Sequence, residues 1–118
     1  MGELFENKVS KTMLMTLQAK ALEGSQKNRL FIDQKAEEIM KQAPTMVNVS
    51  FFDRIGVCLR TKYFDDCCKN FIKTHEHPVI IQLGCGLDDR QGRIGAEDIP
   101  FFSVDFLDVI TLRQEFFE

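Results

Sequence analysis

Up to Pro78 the apolar positions of the chain recur at three- and four-residue intervals and never alternate, which is the period of amphipathic helices. Met13, Leu14, Leu17, Ala21 and Leu22 form a first stripe, with Ser10 placed to cap its start and Gly24 its end. A second stripe, Ala36, Ile39 and Met40, opens near Asp33 and stops at Pro44, whose ring cannot continue a helix. The third segment runs from Phe51 to Lys73. Ile55, Leu59, Phe64, Cys68, Phe71 and Ile72 supply its apolar contacts, and Asp65 is placed to cap its second half. Core packing accounts for all three stripes.

Behind Pro78 the period changes. Val79 to Leu83 is a short, β-branched apolar run with a glycine turn directly after it, the pattern of a buried strand. Phe101 to Asp105 predicts a second strand ending in a carboxylate, and Leu107, Ile110, Phe116 and Phe117 have the spacing of a following helix. The order is helices first, then strand, glycine loop, crossover, strand and helix. It predicts an α/β fold in a single domain over 1–118, with a helical segment over 1–77 and the start of a sheet over 78–118. No internal repeat, low-complexity tract or linker divides it.

Composition narrows the classes of partner. The chain is 44% hydrophobic and 28% charged, an ordinary soluble domain rather than a disordered or disulfide-stapled one. Fifteen basic residues against 18 acidic ones leave a net charge of −3, so neither nucleic acid nor an anionic membrane is an expected partner. No run approaches the ~20 apolar residues of a membrane span. The first residues lack the basic and apolar regions of a signal peptide, so the expected location is cytoplasmic. Cys58, Cys67, Cys68 and Cys85, even with His75 and His77, lack the spacing of a zinc site, so no metal is expected. The thiols read as small buried hydrophobes without chemistry, the adjacent Cys67 and Cys68 pointing one in and one out.

Candidate chemistry gathers at the first strand's end. Gly84-Cys85-Gly86 follows the strand at once, and Asp105 closes the next one. Glycines let a backbone turn sharply and approach a ligand, while a carboxylate at the tip of a neighbouring parallel strand accepts hydrogen bonds from ribose hydroxyls. This predicts a nucleoside-binding crevice. The loop continues Leu87-Asp88-Asp89-Arg90, without the third glycine of the dinucleotide fingerprint. Two carboxylates there oppose a diphosphate even with Arg90 and Arg93 nearby, whereas S-adenosylmethionine has no phosphate and carries a sulfonium and an ammonium. The second reading is an NAD-dependent oxidoreductase using Gly84, Gly86 and Asp105. In the plain alternative, Asp88 and Asp89 cap a turn and pair with Arg90 and Arg93.

The run Val79-Ile-Ile-Gln-Leu-Gly-Cys-Gly-Leu-Asp-Asp-Arg, followed by Arg93 and Phe102-Ser-Val-Asp-Phe, resembles S-adenosylmethionine-dependent O-methyltransferases of the leucine carboxyl methyltransferase and polyketide O-methyltransferase group. Upstream, Thr12-Met-Leu-Met-Thr-Leu-Gln-Ala-Lys-Ala-Leu-Glu, Asp33-Gln-Lys-Ala-Glu-Glu and Leu59-Arg-Thr-Lys-Tyr-Phe-Asp-Asp are similar to that family's N-terminal helices, in order. The resemblance implies a Rossmann-like methyltransferase sheet, of which this chain holds the first β-α-β part after its N-terminal helices. It implies that Arg60 anchors the cofactor's carboxylate, that Gly84 and Gly86, with Cys85 between them, border its methionine moiety, and that Asp105 holds the ribose. Lys20 stands where relatives often carry arginine and is assigned no role. The implied reaction is methyl transfer to a carboxyl or hydroxyl oxygen of a small molecule or a protein terminus.

A βα unit takes roughly 25 residues, so residues 78–118 suffice for two strands, and the chain is expected to be the front part of a longer methyltransferase, truncated before the remaining strands. Two parallel strands leave both sheet edges open. The chain is therefore expected to be stabilised by its N-terminal helices, by self-association through those edges, or by a partner supplying the rest of the sheet. The third functional reading follows from the same point: a non-catalytic remnant or interaction module that turns over nothing alone.

Overall fold

Side-chain caps fix where two of the helices begin. Asp33 Oδ1 accepts from the amide of Ala36 at 2.9 Å and Ser50 Oγ from that of Asp53 at 3.1 Å, each satisfying a donor that the first helical turn leaves unpaired. The computed structural model describes residues 11–43 and 48–117. Its elements are α1 (Lys11–Glu23), α2 (Gln34–Gln42), α3 (Phe51–Thr74), β1 (Ile80–Leu83), α4 (Arg90–Arg93), β2 (Phe101–Val104) and α5 (Leu107–Phe117). Ser10 and Pro44, expected to start α1 and stop α2, lie outside the described residues. The architecture is a helix-rich α/β arrangement with a small two-stranded parallel sheet.

The apolar stripes of α1 and α2 do what their period requires. Leu14 and Leu17 meet Ala36 and Ile39, and this cluster closes over Leu87 behind β1 and over Leu112 and Phe116 of α5. The glycine loop and the last helix are thereby pinned to the N-terminal helices through one core.

Helix α3 differs from the sequence reading in two ways. It runs unbroken from Phe51 to Thr74, so Asp65 caps nothing. Its buried positions are Cys58, Thr61 and Asp65, whereas Leu59, Phe64 and Phe71 are exposed. The physical reason is that α3 docks through polar groups. Arg54 pairs with the buried Glu23 of α1 at 2.7 Å, the Cys58 thiol donates to the Ala19 carbonyl at 3.5 Å, and Asp65 takes arginines from α4.

Strands β1 and β2 pair in register, Ile80 with Phe101 through Leu83 with Val104. The expectation of a buried β1 needs the opposite correction. Ile81 and Leu83 are 62% and 77% exposed, as are their neighbours Phe102 and Val104 at 56% and 46%, and Gln82 is the strand's buried residue. Side chains alternate across a strand, so Gln82 faces the helices while the four apolar side chains of Ile81, Leu83, Phe102 and Val104 share a face that no described element covers.

Candidate functional site

At the end of β1 the backbone passes through φ of +61° at Gly84 and +52° at Gly86, the left-handed region that glycine enters without a Cβ clash. The turn stays fastened to β2. Cys85 N donates to the Val104 carbonyl at 3.2 Å, and Gly86 N to Asp105 Oδ2 at 2.8 Å. The other Asp105 oxygen accepts from Phe106 N at 2.7 Å. From α5, Arg113 reaches back with one nitrogen to the carbonyls of Gly86 (3.1 Å) and Asp88 (2.8 Å). Glycine loop and carboxylate thus sit side by side at the carboxyl ends of neighbouring parallel strands, where open α/β sheets bind ligands.

Above them lies an open cleft of about 480 Å³ between the loop, α1 and α3. Arg60, Gly84, Cys85, Gly86 and Asp105 all line it, so the structure brings together every residue singled out from the sequence. Among the described residues, three cations border the cleft. Lys20 is engaged by Asp88 at 2.6 Å and Arg90 by Asp65 at 3.0 Å, whereas Arg60, among the described residues, has no ion pair. A Cβ built on Gly84 meets nothing within 4 Å, so the loop backbone faces open space there.

The two loop carboxylates have separate structural tasks, as the plain alternative held. Asp89 caps α4 by accepting from Gly92 N at 3.1 Å, and burial pushes its carboxyl up against that hydrogen bond. Asp88 enters a buried network in which Asp33, Asp65 and Asp88 meet Lys20, Arg90 and Arg93. Burial alone would raise the Asp88 carboxyl, but the charges and hydrogen bonds of Lys20 and Arg93 hold it well below the usual carboxylate range. Arg93 is correspondingly kept protonated against its own burial by Asp65 and Asp88. Asp88 is therefore neutralised in place, and the repulsion of a diphosphate inferred from the sequence loses one of its two charges. Periodicity had no means of flagging Lys20, which is 5% exposed, or Asp65, which is 3% exposed.

Burial works against the thiolate form at three of the four cysteines. Cys58 is pushed up to about 12, by burial first and then by Glu23, and burial likewise raises Cys68 and Cys85. Among the described residues no group of three or more His, Cys, Asp or Glu side chains could hold a metal ion, and no helix is long and apolar enough to cross a membrane.

The sequence profile of leucine carboxyl methyltransferase matches residues 12–118. The chain belongs to the leucine carboxyl methyltransferase family. Among similar proteins in this setting is the tetracenomycin polyketide synthesis O-methyltransferase TcmP of Streptomyces glaucescens, 32% identical over 92% of this chain and 42% of that protein. Another is the S-adenosyl-L-methionine-dependent methyltransferase dpfgK of Gibberella zeae, 27% identical over 97% of this chain and 43% of that protein. The chain thus spans less than half the length of these relatives. No solved structure matches it. Gln82, which also lines the cleft, has a buried side-chain oxygen without a hydrogen-bond partner among the described residues.

Proposed function

We propose that this chain supplies the methionine and ribose subsites of an S-adenosylmethionine-dependent O-methyltransferase, built on the first β-α-β unit of a Rossmann-like sheet. The observation that carries the reading is the hydrogen bond between Gly86 and Asp105, which sets loop and carboxylate in one cleft with Arg60, a cation without an ion pair among the described residues. Family membership favours this over the NAD reading, since the charge of Asp88 no longer discriminates.

Each residue's part follows from its chemistry. Arg60 offers a planar, permanently charged fork for the donor's carboxylate. The turn at Gly84 to Gly86 lets the methionyl chain lie against bare backbone. Asp105, with each oxygen already holding one amide, keeps further lone pairs for the two ribose hydroxyls. When bound, the cofactor supplies an electrophilic methyl carbon on a sulfonium. The chain's own contribution is to orient that group, so that an acceptor oxygen, carboxylate or hydroxyl, is met in near-attack geometry. Calorimetric titration with S-adenosylhomocysteine tests this. Binding by the wild type that weakens in Arg60→Ala and Asp105→Ala supports the reading. No binding, or binding indifferent to both substitutions, removes it.

A further inference from the structure

Helix α3 carries Arg60, yet it contributes no residue to the apolar core that joins α1, α2, the glycine loop and α5. It packs along α1, and its tie to the loop runs through Asp65. Arg93, its side chain 3% exposed, grips Asp65 with two parallel bonds, Nε to Oδ2 at 2.6 Å and Nη2 to Oδ1 at 2.9 Å. The same guanidinium reaches Asp88 of the loop, Nη1 to Oδ1 at 2.7 Å, and Asp33, the cap of α2, Nη1 to Oδ2 at 2.8 Å. Arg90 also holds Asp65 at 3.0 Å but approaches Asp88 only to 3.9 Å, so Arg93 is the closer bridge.

Burying Asp33, Asp65 and Asp88 with Lys20, Arg90 and Arg93 gains little over apolar packing of the same volume, because each charge must leave water. What a two-pronged arginine contact supplies is a fixed spacing and angle. Arg60 lies five residues before Asp65 on one unbroken helix, and Asp88 lies two residues after Gly86. Through those two carboxylates Arg93 spaces the walls of the cleft, α3 and the glycine turn, from outside the cleft's own lining. We propose that Arg93 is a positioning residue, holding Arg60 at the distance from the glycine turn at which both meet one ligand, an inference that rests on the part given to Arg60 above. A lysine in its place keeps the charge but has a single nitrogen, so Asp65 and Asp88 are no longer held at a set distance.

The test titrates the whole chain with S-adenosylhomocysteine and with its decarboxylated analogue, in which hydrogen replaces the α-carboxylate. In Arg93→Lys, affinity for S-adenosylhomocysteine falls about tenfold, the loss expected for one charge-assisted hydrogen bond, and affinity for the analogue stays at the wild-type value. Equal weakening of both ligands, or of neither, would make Arg93 a structural residue only and overturn the proposal while leaving the methyltransferase reading intact. A wild type that binds both ligands equally removes the part given to Arg60 and the proposal with it. A wild type that binds neither removes the methyltransferase reading as well. A second readout needs no variant, and it decides the matter if Arg93→Lys does not fold or the analogue binds too weakly to measure. The Arg93 Nε–H proton, held by Asp65, exchanges with water more slowly once S-adenosylhomocysteine is bound, since a ligand spanning both walls stabilises the bridge between them. An exchange rate that the ligand leaves unchanged overturns the proposal.

Discussion

Asp105 and Gly86, 19 positions apart in the chain, share a 2.8 Å hydrogen bond across the ends of β1 and β2. The bond has two consequences, one for the loop and one for a ligand. Asp105→Ala removes the loop's anchor together with the proposed ribose acceptor, whereas Asp105→Asn keeps a carbonyl for Gly86 while losing the charge and turning the oxygen that accepts from Phe106 N into a donor. Calorimetry is expected to show S-adenosylhomocysteine binding weakened by about 1.5–3 kcal/mol in the alanine variant, roughly tenfold to a hundredfold, and by less in the asparagine variant. Equal affinity in all three proteins would place the ribose elsewhere.

The Asp88 network makes stability depend on acid. Its carboxyl is lowered in the folded chain relative to the unfolded one, so its contribution is complete above the ordinary carboxylate range and is lost as pH falls from there toward the depressed folded value. Urea unfolding is expected to give a flat stability near neutrality that drops below about pH 4. Asp88→Asn leaves Lys20 and Arg93 in a buried site with one anion fewer, at a cost of about 3–5 kcal/mol at pH 7, and flattens the acid slope. An unchanged slope would show that other carboxylates control it.

Thiol labelling separates the cysteines by position. Cys67 is exposed, while Cys58 and Cys85 are buried and burial raises both thiols. Brief iodoacetamide treatment at mildly alkaline pH, read by peptide mass, is expected to modify Cys67 first and to reach Cys58 and Cys85 only after urea is added. Early labelling of Cys58 would mean that α1 and α3 separate readily.

The uncovered sheet face, Ile81, Leu83, Phe102 and Val104, is expected to drive association between copies of the chain. Apolar patches of this kind are rarely left to water, and parallel strands are normally covered on both faces. Light scattering should show mass rising with concentration, and the paired change Ile81→Lys with Phe102→Glu should suppress that rise without altering helix content. A wild type that stays monomeric at all concentrations would contradict the expectation.

Sequence pattern disclosed the helices, the strand before the glycines and the partnership of that loop with Asp105, because each leaves a local mark: a period, a turn residue, a carboxylate at a strand tip. The docking of α3 left no such mark. Its contact face is Cys58, Thr61 and Asp65, and an apolar-periodicity reading weights Leu59 and Phe64 instead. The partners of Asp65 lie 25 and 28 residues away, so nothing nearby announces them. Gln82 did carry a signal, a lone amide inside an aliphatic strand, but the partner of its nitrogen is Asp88, itself held by Lys20 through a contact spanning 68 residues.

Arg113 gives the loop a timetable. Its grip on Gly86 and Asp88 spans 27 and 25 residues of chain, so a polypeptide leaving the ribosome makes the glycine turn well before the side chain that clasps it. Until α5 emerges and docks, the turn lacks that clasp, so the loop is held from both sides only once residues well downstream of it have been made.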